Sequence, residues 1–314
     1  MERYKTLNIP YGNAICYSGY RKGQGPGLNI HPSYEQVKED LHILQGNWKY
    51  LRLYDVNPHA EMVLEIIQEY RLEFKVMLGA FIEAEMNNYG CPWGAIYPEK
   101  ELVRNREKNV RKIDQLVDLA NRYRDIVFST SAGNEATVDW TDHFVPVNHV
   151  IEYVQMIKKM TSQPVTFCEN YLPWHHKLEE LVGELDFISI HTYPVWEHKH
   201  VHEALEYTKQ NFYGVANKYP EKPVMITEAG WATQSNGRGI NPDHVSEEFQ
   251  KIYYEDLMHW CRDEGIITFV FEAFDEPWKG FDDDTEPEKH WGLFYEDRSP
   301  KLVMKDLSRG KMHQ

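Results

Sequence analysis

Two short stretches place a carboxylate where a buried run of chain stops. Val224-Met225-Ile226-Thr227 is apolar and β-branched, reads as a buried strand, and ends on Glu228-Ala229-Gly230-Trp231. Ile126-Val127-Phe128-Ser129-Thr130-Ser131-Ala132-Gly133-Asn134 ends the same way on Glu135. A carboxylate at the mouth of a buried strand is costly unless something pairs or uses it. Two of them on two strand ends suggest a facing pair. In retaining glycoside hydrolysis such a pair sits about 5–5.5 Å apart, one as nucleophile and one as acid and then base.

Eight strand-like runs can position these groups: Ala14–Tyr17, Tyr50–Asp55, Phe74–Gly79, Ile126–Glu135, Val165–Cys168, Phe187–His191, Val224–Glu228 and Ile267–Glu272. Amphipathic segments separate most of them. Ser33-Tyr34-Glu35-Gln36 reads as a capping box, with Val37, Leu41 and Leu44 on one helix face. The sets Val63/Ile66/Ile67/Tyr70, Val110/Ile113/Leu116/Val117/Ala120 and Val150/Ile151/Val154/Ile157 repeat that spacing. Ser246 is placed to cap a helix carrying Phe249, Ile252, Tyr253 and Trp260. Alternating strands and helices predict a parallel sheet, and eight strands in 314 residues predict an α/β fold, a single (β/α)8 TIM barrel over residues 1–314. An open doubly wound sheet is the alternative. In a barrel, Gly19–Pro32 and Glu276–Glu288 become loops on the C-terminal face, where active sites are built.

The strand-end candidates are then Arg52, Asp55, Glu135, Glu169, His191, Tyr193, Glu228 and Glu272. Arg52 could hold Glu228 ionised and Tyr193 could donate to the same carboxylate. Asn134 could bind a sugar hydroxyl beside the reacting carbon. Of the nine Trp, Trp48 and Trp260 fit helical cores. Trp93, Trp140, Trp174 and Trp196 fall in loops, and Trp231, Trp278 and Trp291 are expected to line the cleft as platforms for sugar rings.

The net charge of −15 argues against nucleic acid or an anionic membrane as partner and is compatible with a neutral substrate. The four Cys (Cys16, Cys91, Cys168, Cys261) have no CxxC spacing, so neither a zinc site nor a disulfide framework is expected, and Cys16 and Cys168 read as core. His198-Lys199-His200-Val201-His202 reads as a polar loop rather than a metal site, and Asp282-Asp283-Asp284 as a solvated loop. No metal or cofactor is expected. Residues 1–8 lack the apolar run of a signal peptide; as written the chain reads as cytoplasmic, or periplasmic or secreted with a leader removed. A monomer is expected.

The chain resembles clan A glycoside hydrolases through Asn134-Glu135 and Glu228. Its finer motifs resemble family 17, the β-1,3-glucanases. They are Leu51-Arg52-Leu53-Tyr54-Asp55, Gly133-Asn134-Glu135, Thr227-Glu228-Ala229-Gly230-Trp231, and Phe271-Glu272-Ala273-Phe274-Asp275-Glu276-Pro277-Trp278-Lys279 with His290-Trp291-Gly292-Leu293-Phe294. The resemblance covers Tyr17 to Phe294. It implies that Glu135 is the acid/base, Glu228 the nucleophile, that Glu272, Glu276 and Lys279 support the site and touch sugar, and that Tyr17, Tyr54 and Tyr193 line it. It implies laminarin as substrate, with endo action. Ala136-Thr137, His191-Thr192-Tyr193-Pro194 and the insert-like Asn87–Gly94 depart from plant members and look more like bacterial ones. The rivals are a β-1,3-glucanosyltransferase, another clan A specificity such as β-1,4-glucan or mannan, and a glucan-binding protein without catalysis.

Overall fold

The computed structural model describes residues 3–305. Its eight strands are β1 (Ala14–Cys16), β2 (Tyr50–Leu53), β3 (Lys75–Gly79), β4 (Val127–Asn134), β5 (Val165–Asn170), β6 (Ile188–His191), β7 (Val224–Ala229) and β8 (Thr268–Val270). They pair in chain order, all parallel, and β8 returns to β1 through Ala14↔Phe269 and Ile15↔Val270. That last pairing closes a barrel and rules out the open sheet.

Seven α-helices lie between the strands: α1 (Tyr34–Leu44), α2 (Pro58–Tyr70), α3 (Glu99–Arg122), α4 (Val147–Met160), α5 (Glu179–Glu184), α6 (Val201–Lys218) and α7 (Glu247–Glu264). The capping box forms: Ser33 Oγ accepts from Gln36 N at 3.3 Å and Gln36 Oε1 from Ser33 N at 2.9 Å. Behind it Val37, Leu41 and Leu44 are fully buried, each contributing about 1.5–3 kcal/mol relative to exposure. Ser246 caps α7 through Phe249 N at 3.0 Å. Tyr70 departs from its expected inward face; it closes α2 exposed, with Lys38 Nζ over its ring.

Helix α6 has no counterpart in the sequence reading, because two of its inward positions are polar. Val201, Ala204, Phe212 and Val215 are buried beside Thr208 and Asn211, whose side chains bond to Tyr253 Oη at 2.7 Å and Thr192 Oγ1 at 2.9 Å. The presumed His-rich loop is this helix's start: His200 is its N-cap and His202 lies in its first turn. Among the described residues no helix is long and apolar enough to cross a membrane.

Candidate active site

The site lies at the C-terminal ends of β2, β4, β6 and β7. Gly133 leaves β4 at φ +118, with Ile82 and Phe167 packed where a Cβ would stand. Glu135 follows at φ +45 and donates its N–H to the Cys168 carbonyl at 2.9 Å. Just past β7, Gly230 lets the Phe271 carbonyl come within 2.0 Å of where a Cβ would be, which draws the end of β8 against the end of the Glu228 strand.

Glu228 is buried and saturated with donors. Arg52 Nη1 reaches its Oε1 at 2.5 Å, Tyr54 Oη donates to the same oxygen at 2.9 Å, and Tyr193 Oη donates to Oε2. His191 Nδ1 stands 3.5 Å from Oε2 and 2.8 Å from Glu135 Oε1, bridging the two glutamates. One oxygen of each glutamate and a ring nitrogen of His191 all lie within 4.8 Å of one another. Burial alone would push the Glu228 carboxyl up; His191 and Arg52, then the Tyr193 hydroxyl, outweigh it and hold Glu228 down at about 2. Burial also opposes charge on His191, yet Glu228 and Glu135 raise it to about 9. Burial raises both tyrosines well above their ordinary value, so they stay neutral donors.

Arg52 ties the two strand ends together, since its Nη2 also donates to Asn134 Oδ1. Beyond the loop after β4, His143 Nε2 meets the Asn134 carbonyl at 2.8 Å. This set can present one carboxylate that is fully ionised and a second, more exposed one facing it, the arrangement double displacement at a sugar carbon requires. Among the described residues, Glu135, His191 and Glu228 are also the one group spaced to take a metal ion. Arg52 already brings a fixed positive charge onto Glu228, which disfavours a second cation there.

A second cluster follows β8. Lys279 Nζ lies 3.2 Å from Glu272 Oε2 and pairs with Glu276, and Trp278 Nε1 donates to Glu276 Oε1 at 2.9 Å. Burial, then the neighbouring Glu276 charge, raises Glu272 well above its ordinary value; burial opposes ionisation of Glu276 too, but Lys279 keeps it low. The Phe271 ring joins the clusters, contacting Tyr193 on one side and Lys279 Nζ on another.

Arg52, Tyr54, Asn134, Glu135, Tyr193 and Glu228 thus come together, with Glu272, Glu276, Trp278 and Lys279 grouped beside them. Three expected cleft residues are placed otherwise. Tyr17 is buried, its hydroxyl donating to Asp40 at 3.0 Å. Trp231 fills the layer between β7 and α7, its Nε1 on the His244 carbonyl and its ring on Tyr253. Trp291 is fully buried behind Tyr193, their rings 5.1 Å apart, so it backs the wall rather than offering a face. Trp278, at 37% exposure, keeps an open face. Tyr89 and Trp93, on the insert-like stretch, are exposed, and Asn88 fixes that stretch to the loop after β4 through the Asp139 and Thr141 carbonyls. His191 was legible only as one more strand-end residue; its bridging place follows from its position on β6, between β5 and β7.

Residues 14–292 match the model of the BtgE/BtgC glycoside hydrolase domain. A probable glucan endo-1,3-beta-glucosidase, btgC, of Aspergillus clavatus is 28% identical over 303 residues, covering 88% of this chain and 40% of that protein. The chain therefore spans about two fifths of the length of the curated relatives it matches. The crystal structure of an endo-laminarinase from Formosa superposes with TM-score 0.82 at 28% identity, over 95% of this chain and 86% of that one. A β-1,3-glucanosyltransferase mutant of Rhizomucor miehei, solved with laminaritriose, shares the fold at TM-score 0.73 and 21% identity, over 93% and 96% of the two chains.

Proposed function

The chain belongs to the BtgE/BtgC glycoside hydrolase domain family, and we propose that residues 1–314 act as a single, monomeric catalytic barrel that cleaves β-1,3-glucan of the laminarin type. The reaction retains configuration and attacks within the chain. Glu228 attacks the anomeric carbon as a carboxylate. Glu135 gives its proton to the departing glucosyl oxygen. A covalent glucosyl ester on Glu228 results. Glu135, now charged, takes a proton from water, which attacks the same carbon and releases Glu228. Arg52, Tyr54 and Tyr193 keep the nucleophile ionised and aimed. In this reading Asn134 binds the hydroxyl next to the reacting carbon, and Trp278, Glu276 and Lys279 a neighbouring glucose.

One observation carries this reading: two carboxylates within 4.8 Å of each other, one of them held at about 2 by fixed donors. It is supported by the likeness to the Formosa endo-laminarinase. A timed product profile on laminarin tests it. A ladder of short β-1,3-oligosaccharides is expected. Products longer than a purified starting oligosaccharide would instead indicate transfer to a sugar acceptor. Cleavage of β-1,4-glucan or mannan with laminarin untouched would move the specificity elsewhere in the clan.

A further inference from the structure

Behind Glu135 lies a second carboxyl that the reaction as written does not use. Glu169, near the end of β5, is fully buried. Asn134, the last residue of β4, pairs with Cys168 of β5, so Glu135, just past β4, and Glu169 on β5 follow that pair side by side. Both oxygens of Glu169 accept hydrogen bonds: Oε1 from Asn170 N at 2.7 Å, and Oε2 from Thr137 N at 2.9 Å and Thr137 Oγ1 at 2.7 Å. Thr137 stands two residues beyond Glu135, whose left-handed φ of +45 is uncommon for a non-glycine residue. Such a conformation persists only where the surroundings over-determine it. The bonds to Thr137 are one such determinant.

His191 Nδ1 meets Glu135 Oε1 from β6 at 2.8 Å, so the acid/base side chain is held from β6 while the turn that follows it is held from β5. Burial, then the neighbouring Glu135 charge, pushes Glu169 up to about 7.

We propose that Glu169 is a positioning residue for the acid/base: it clamps the Ala136-Thr137 turn and so holds Glu135 where its carboxyl meets the leaving oxygen. This rests on Glu135 being the acid/base.

The test compares Glu169→Gln with the parent on two substrates, a β-1,3-oligosaccharide and a dinitrophenyl β-laminaribioside, whose leaving group departs without a proton. On the oligosaccharide, kcat/KM is expected to fall about 10- to 100-fold. The burst rate on the aryl substrate is expected to hold, which also shows that the variant is folded. Equal losses on both substrates, or no loss on either, would overturn the proposal. Should Glu169→Gln fail to fold, Thr137→Val decides, because it removes one bond of the clamp and leaves Glu169 in place. A loss confined to the oligosaccharide upholds the clamp, and a uniform loss or none sinks it. Glu135→Gln runs alongside. If it shows no split between the two substrates, the acid/base assignment itself fails, whatever Glu169 does.

Discussion

Replacing Tyr193 by Phe removes one hydroxyl from the site and little else. The ring keeps its contacts with Phe271 and Trp291. What goes is the bond from Tyr193 Oη to Glu228 Oε2; Arg52 and Tyr54 still hold Oε1, and His191 remains 3.5 Å from Oε2. A hydrogen bond to a charged acceptor contributes about 1.5–3 kcal/mol. At 1.36 kcal/mol per unit, its loss raises the Glu228 carboxyl by about 1–2 units from its value of about 2. The acid limb of kcat/KM on a β-1,3-oligosaccharide should move up by that amount. At neutral pH, where Glu228 is ionised in both proteins, the same energy bounds the rate loss at about 10- to 150-fold. The assay is a pH–rate profile from about pH 2.5 to 8, limited to conditions where both proteins stay folded. A neutral-pH loss with the acid limb unmoved would refute the reasoning, since Tyr193 would then not act through the charge on Glu228.

Changing Glu228 to Ala should cut turnover by at least about 10³-fold while oligosaccharide binding, followed by calorimetry, persists. Lys279→Met should lower the unfolding free energy by about 3–5 kcal/mol, read from urea titrations, because it leaves Glu272 and Glu276 buried without their cation. Trp278→Ala should raise KM several-fold with kcat little changed, about 1 kcal/mol of ring contact being lost at a face that meets substrate equally in ground and transition states. Stability should also depend on pH through Glu228. Its folded value of about 2 lies below its ordinary 4.5, so its contribution is complete above about pH 4.5 and is lost as pH falls toward 2. His191 acts at the other end: raised to about 9, it contributes fully below about pH 6.5, and that contribution is lost as pH climbs through 9. Denaturation midpoints across pH should show both flanks.

The barrel was legible because its strands are short apolar runs and most of its helices carry regular inward stripes. The reading failed where tertiary structure replaced apolar residues with satisfied polar ones, as Thr208 and Asn211 do inside α6. The two glutamates were legible because each ends a buried strand. Arg52 and Tyr193 followed from their strand ends and Tyr54 from the resemblance to family 17; the structure joins all three to Glu228. Tryptophans were not legible in the same way: residue type says nothing about which side of the wall a ring falls on. Trp231 and Trp278 both follow strands, yet Trp231 is bonded to His244 inside the helix layer and Trp278 is turned outward by Glu276. Tyr17 ends beside β1 but is drawn to Asp40 of α1 and away from the cleft. The bridge made by His191 depends on register between β5, β6 and β7, which no local pattern encodes.

The most direct measurement is a covalent trap. The protein would be incubated with a 2-deoxy-2-fluoro-β-laminaribioside carrying a dinitrophenyl leaving group, digested, and mapped by mass spectrometry. One label per chain is expected, on the peptide containing Glu228. Stoichiometric label on another residue, or an enzyme that turns over laminarin without ever acquiring the label, would contradict the account.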